Sequence, residues 1–109
     1  MSRFSAPIAE QIWDMKYRFK EADGTPLDRT VEDTWRRIAR SLADVEEDKA
    51  HWEDVFYAAR EDFKFLPAGR ITAGAGTERS VTLFNCFVMG TVPDSMGGIF
   101  DMLKEAALT

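Results

Sequence analysis

The segment Val81 to Met89, Val-Thr-Leu-Phe-Asn-Cys-Phe-Val-Met, constrains the fold of this chain more than any other. Drawn out as a strand, it places β-branched and aromatic side chains on both faces, the pattern of a strand covered on each side in a parallel sheet or barrel. Such a strand needs two neighbours. The only other candidate, Ile71 to Ala73, is short, and an unpartnered strand leaves rows of backbone donors and acceptors open to another chain. The 109 residues therefore read as the opening piece of a larger fold. An isolated copy is expected to self-associate through Val81 to Met89 or through its last helix.

Upstream of this segment the apolar spacing is helical. Ile8, Ile12, Met15 and Phe19 recur at steps of four, three and four, with Pro7 suited to the first turn and Asp23-Gly24-Thr25-Pro26 as the stop. Trp13 and Tyr17 lie four apart but off that stripe, so the helix is expected to show aromatic surface to a second neighbour. Val31, Trp35, Ile38, Leu42 and Val45 form the cleanest stripe, opened by Thr30 as N-cap with Glu32 and Asp33 at the positive end of the dipole. The acidic run Asp44, Glu46, Glu47 and Asp48 reads as a solvated helix end and connector, because it lacks the loop glycine of a calcium hand. A third helix carries Trp52, Val55, Phe56, Ala59 and Phe63 and ends near Phe65-Leu66-Pro67. His51 at its start has no second ligand in the chain and reads as structural.

From Ala68 to Thr77 small residues dominate, with Gly69, Gly74 and Gly76 as hinges. Gly74-Ala75-Gly76-Thr77 lacks the strand before it and the Gly-Lys-Ser/Thr ending that a phosphate loop needs, so a plain loop is the better reading. The last helix is capped by Asp94 or Ser95 and buries Ile99, Phe100, Leu103 and Ala107. The expected fold is thus mainly α: a helical region over residues 1–66, then over 67–109 a glycine-rich loop, one strand and one helix.

Charge and cysteine count narrow the chemistry. Lys and Arg total 14 against 19 Asp and Glu, a net charge of −5 that argues against a nucleic-acid binder. No apolar run is long enough for a bilayer span and no secretory signal opens the chain, so a cytoplasmic location without membrane contact is expected. One cysteine and one histidine exclude an intrachain disulfide, a cysteine-rich zinc site and a histidine cluster, and no metal site is expected. Cys86 alone could carry covalent chemistry. In an apolar strand it reads either as a small packing hydrophobe or as a redox thiol whose partner lies beyond residue 109.

Four stretches bear on that choice: Leu66-Pro67-Ala68-Gly69-Arg70, Gly74-Ala75-Gly76-Thr77, Leu83-Phe84-Asn85-Cys86-Phe87-Val88 and Asp94-Ser95-Met96-Gly97-Gly98-Ile99. In this order and spacing they resemble the start of the catalytic barrel, of the ten-stranded α/β type, in class II, adenosylcobalamin-dependent ribonucleotide reductases. Ile12-Trp13-Asp14-Met15-Lys16-Tyr17-Arg18 resembles the same family's N-terminal helical region.

The resemblance implies a ribonucleoside di- or triphosphate reductase, in which adenosylcobalamin initiates thiyl-radical chemistry that makes deoxyribonucleotides. It implies that Cys86 is one of the redox-active cysteine pair, that Asn85 and Cys86 contact the ribonucleotide, and that Asp94 and Ser95 begin the site for a deoxynucleoside triphosphate effector. Plain N-capping explains Asp94 and Ser95 equally well. Thr77 is the choice for a substrate-phosphate contact, since a hydroxyl beside glycine can approach an anion closely. A thioredoxin-like reductant is the implied partner. The radical cysteine and the partner of Cys86 would lie downstream, so this chain alone is expected to be inactive and not to hold cobalamin. The rival expectation is a free-standing helical interaction module that docks a protein through Trp13, Tyr17, Trp35 and Trp52, with Cys86 as core packing.

Overall fold

The helix opened at Thr30 forms where the spacing places it. In the computed structural model, which describes residues 3–109, α2 runs over Val31–Ala43. Asp33 Oδ2 accepts from the backbone N–H of Arg29 at 2.9 Å and of Thr30 at 3.4 Å, satisfying donors that the first turn cannot. The buried face is Val31, Thr34, Trp35, Ile38, Ala39 and Ala43, whereas Leu42 is exposed and Val45 lies beyond the helix end. The inward face thus turns from Leu42 and Val45 to Ala39 and Ala43, small residues that allow a close approach. Helix α3, Lys49–Arg60, is capped by Asp48, whose carboxylate accepts from the His51 N–H at 3.3 Å, and packs on α2 as the other arm of a hairpin. Arg36 reaches Asp54 at 3.0 Å and Arg40 reaches Glu53 at 2.8 Å across that hairpin. The Asp44 to Asp48 run is the connector expected of it.

The stripe on the first helix does not become its core face. Helix α1 spans Pro7–Ile12 and continues as a π-helical turn over Trp13–Tyr17, closed by the Arg18 N–H donating to the Trp13 carbonyl at 2.9 Å. Ile8, Ile12 and Met15 are exposed, and Trp13 is the buried member. Trp13 is held inward because its Nε1–H donates to Thr34 Oγ1 at 3.0 Å while the Arg18 guanidinium lies 4.9 Å over its ring. Trp35 is buried too and packs edge-on against Tyr57 and Phe63. Two of the four aromatics expected to form a docking face are therefore core, which sets that expectation aside. The turn at Asp23-Gly24 is as expected: Gly24 has φ +94°, Asp23 Oδ1 accepts from the Thr25 N–H, and an isolated antiparallel bridge joins Lys20 to Pro26.

Helix α3 stops at Arg60, earlier than its apolar spacing suggests. A 3₁₀ turn, Glu61–Phe63, follows, with Asp62 at φ +58° and Phe63 at φ +60°. These left-handed residues reverse the chain so that Phe63 packs against Trp35 at 5.2 Å and Phe4 at 5.3 Å. An ion pair between Asp62 and Arg3 holds the reversal.

Two segments after Pro67 differ from expectation. Ala68 to Thr77 is not a plain loop, and Ile71 to Ala73 is not a strand: Gly69–Gly74 forms a short helix, α4, packed on the π turn and on α2. Gly69 lies against the Tyr17 ring, where a Cβ would stand 3.5 Å away, and Arg37 ties the helix down from α2. Gly76, at φ +75°, sits where a Cβ would fall 2.8 Å from Arg37 Cγ and 2.9 Å from the Arg37 carbonyl oxygen. The variant Gly76→Ala is expected to lose about 1–3 kcal/mol from the backbone conformation alone, and more from the overlap, as a lower urea midpoint.

Val81 to Met89 forms no strand. It has no regular secondary structure, and among the described residues no strand ladder exists for it to join. Backbone groups that lack a neighbouring strand have nothing to fix them in a sheet. Phe84 is 72% exposed and Val88 99% exposed, the reverse of a doubly covered strand. Helix α5, Met96–Leu108, is present, but Ile99, Phe100 and Leu103 face solvent instead of a core. With this much apolar surface uncovered, the isolated chain should show concentration-dependent mass growth by light scattering. A clean monomer at high concentration would refute it.

Candidate functional site

The candidate site residues sit on three supports along 74–98. Thr77 is half-buried beside the end of α4, and its hydroxyl donates to the Gly74 carbonyl at 2.8 Å. Gly74 has no side chain where Val81 and Leu83 pass: a Cβ there would lie 2.9 Å from Val81 Cγ2 and 3.2 Å from Leu83 Cδ2. This close passage anchors the start of the apolar segment to α4.

Further along, Asn85 and Cys86 are exposed, and the Cys86 thiol is free. The flanking rings Phe84 and Phe87 meet edge-on at 6.2 Å. Cys86 is therefore not a core residue here, and the reading of it as packing, buried beside Phe84 and Val88, is corrected. The reason is the one that removed the strand: among the described residues no neighbouring strand lies beside Asn85 and Cys86.

At the third support, Ser95 Oγ accepts from the Gly98 N–H at 3.1 Å and caps α5, so Ser95 rather than Asp94 is the N-cap. Gly98 leaves room for Pro93, whose Cβ would be 2.6 Å from a Cβ at that position. Asp94 is exposed. Among the described residues, no hydrogen bond, ion pair or ring contact joins Thr77, the Asn85-Cys86 pair and the Asp94-Ser95 pair to one another.

The polar arrangement at the centre of the helical region was not legible in the spacing. Asp28 is buried, and its Oδ2 accepts from Thr34 Oγ1 at 2.7 Å, from the Phe19 N–H at 3.1 Å and from Arg37 Nη2 at 3.0 Å. Arg37 also donates to the carbonyls of Ala75 at 2.6 Å, Thr72 at 2.9 Å and Tyr17 at 3.2 Å. One ion pair thus fastens the π turn, α2 and α4 together, beneath the loop that carries Thr77. Thr34 was its available signal: a hydroxyl inside an apolar stripe, three residues after Val31 and four before Ile38, requires a buried acceptor.

Burial pushes the Tyr57 hydroxyl above its usual range and lowers Arg60, while the hydrogen bond from Arg18 lowers the Asp14 carboxyl. His51 is exposed and packs edge-on against Trp52 at 5.2 Å, a structural position. No group of three or more His, Cys, Asp or Glu side chains among the described residues could hold a metal ion. No helix is long and apolar enough to cross a membrane. A cleft of about 690 Å³ between α1, α2 and residues 60–69 is walled by aromatic side chains.

Residues 3–80 match the family described as ribonucleotide reductase, all-alpha domain. Over 106 residues the chain is 31% identical to a protein named ribonucleoside-diphosphate reductase subunit alpha from Chlamydia muridarum (strain MoPn / Nigg). It is 30% identical over 106 residues to the protein of the same name from Chlamydia trachomatis serovar D. Each alignment covers 97% of this chain and 10% of the relative, so the chain spans about one tenth of the length of the curated relatives it matches. No solved structure matches it.

Proposed function

Because the chain belongs to the ribonucleotide reductase all-alpha domain family, we propose that it forms the N-terminal part of an enzyme that makes deoxyribonucleotides, with Cys86 as one of its redox-active thiols. Residues 1–66 are the helical support and residues 67–109 carry the reacting part, continued by the barrel. The observation that carries this reading is the family match over 3–80, followed after residues 81–84 by the Asn85-Cys86 pair, whose thiol is free and exposed.

In the proposed reaction the ribose 2′-hydroxyl leaves as water and a hydrogen takes its place. The two electrons come from Cys86 and a second thiol, which become a disulfide, and a thioredoxin-like dithiol then reduces it. Asn85 and Thr77 contact the ribonucleotide, and Asp94 and Ser95 begin the effector site. Ser95 holds α5 in place through its cap whether or not an effector is bound.

Adenosylcobalamin would supply the initiating thiyl radical in the whole enzyme. The residues of this chain do not build its site, and no step here runs through it. The name subunit alpha, carried by both relatives, favours a second reading in which another subunit supplies the radical. Assaying the complete enzyme with and without adenosylcobalamin separates the two.

The 109-residue chain alone should give no deoxyribonucleotide from ribonucleotide, adenosylcobalamin and a dithiol, because one thiol cannot deliver two electrons and close a disulfide. Turnover by the chain alone would overturn the proposal.

A further inference from the structure

Arg60 is a buried cation of the helical region. It is 3% exposed, its Nη1 donates to the Phe56 carbonyl at 2.8 Å, and its Nε is buried without a hydrogen-bond partner. None of the ion pairs among the described residues includes it. A guanidinium stays protonated in proteins, so this is a buried cation that has a carbonyl and the Phe65 ring, 5.9 Å from its Cζ, beside it but no carboxylate, which folded chains rarely tolerate. Arg60 lines the cleft of about 690 Å³, whose other walls include Phe4, Trp13, Trp35, Phe63 and Leu66.

We propose that this cleft receives an acidic side chain carried on an apolar polypeptide segment, its carboxylate seated on the Arg60 guanidinium. Charge complementarity selects a single carboxylate. Of the charged residues that line it, Arg3 is already paired with Asp62, which leaves the single positive charge of Arg60; one carboxylate balances it, whereas a polyanion such as a phosphate group exceeds it. The apolar surface also continues beyond the cleft. Phe65 and Leu66 at its edge are 56% and 67% exposed, and Ile12 flanks the other side at 39%. A small organic acid would fill the cleft and leave that rim wet, whereas a peptide segment covers both. The inference does not depend on the reductase reading, since it uses only the helical region.

The test is a pair of immobilised peptide libraries, five residues long, with flanking positions drawn from Leu, Ile, Val, Phe and Met. One library has a central Glu and the other a central Gln. The 109-residue chain should be retained at least tenfold more by the Glu library, and its Trp13 and Trp35 fluorescence should shift on titration with the selected peptides. Arg60→Gln should abolish the preference and Arg60→Lys should restore part of it. Equal retention by the two libraries overturns the proposal, and this comparison needs no variant to fold. Binding of 3-phenylpropionate as tight as that of the selected peptides would overturn the polypeptide occupant.

Discussion

Replacing Arg37 with methionine should cost the helical region about 3–5 kcal/mol, the range found when one partner of a buried ion pair is removed. A domain of this size has about 5–15 kcal/mol in total, so the variant should be largely unfolded well before the urea midpoint of the parent. The loss has two parts. Asp28, 4% exposed, keeps its bonds from Thr34 and Phe19 but loses the cation that balances its charge. The carbonyls of Ala75, Thr72 and Tyr17 lose their donor, which frees α4 from α2. Arg37→Lys should recover little, because one ammonium cannot reach three carbonyls and a carboxylate with the geometry of a planar fork. The double variant Asp28→Asn with Arg37→Met should be more stable than the sum of the single losses, since it removes the stranded charge. Denaturation followed by far-UV circular dichroism checks all of these. A loss under about 1 kcal/mol for Arg37→Met would place the pair with exposed ion pairs, which contribute little.

Cys86→Ser, made in the complete enzyme that carries this segment, should reduce deoxyribonucleotide formation to the assay background while leaving ribonucleotide binding in place. A serine hydroxyl cannot be oxidised to a disulfide, so the two-electron delivery stops however well the substrate is held. In the 109-residue chain the position is exposed, so there the same substitution should change stability by no more than about 0.5 kcal/mol, as at other surface sites. That separation is what makes the experiment informative. A structural cysteine would move stability and leave the chemistry, whereas a redox thiol does the opposite. The free-thiol count gives a second readout: reacting the reduced enzyme with substrate should consume two thiols per product in the parent and none in the variant. Undiminished turnover by Cys86→Ser would remove Cys86 from the redox pair.

How much of this was legible beforehand differs from element to element. The period of Val31, Trp35 and Ile38, with Asp33 in the first turn, located α2 and its cap, because helix periodicity and capping are local properties. The same holds for the Asp23-Gly24 turn and for Ser95 at the head of α5. Ile8, Ile12 and Met15 have an equally regular spacing and yet lie exposed, because periodicity says which residues share a face and not which face finds a partner. Trp13 turned inward for a reason no spacing records, a single hydroxyl on another helix. The end of α3 at Arg60 depends on two left-handed residues, neither of them glycine, that an ion pair and an aromatic cluster hold in place.

For the candidate site, the order of Thr77, Asn85-Cys86 and Asp94-Ser95 along the chain was sufficient to nominate them, and of these only Thr77 lies within the residues that the family match covers. Their mutual arrangement is another matter. A strand exists only through hydrogen bonds to its neighbours, so the apolar run from Val81 to Met89 states a requirement for partners and not a conformation.

The sequence by itself determined the helices whose caps and apolar periods are local, the turn after Ala22 and the single thiol available for chemistry. Tertiary structure alone decided which faces are buried, that Asp28 and Arg37 clamp three elements together, and that Arg60 is left without a counter-charge. The physical reason is that periodicity and capping act within about one turn of the backbone, whereas burial and charge compensation depend on groups far apart in the chain that only the packed helices bring within hydrogen-bond distance.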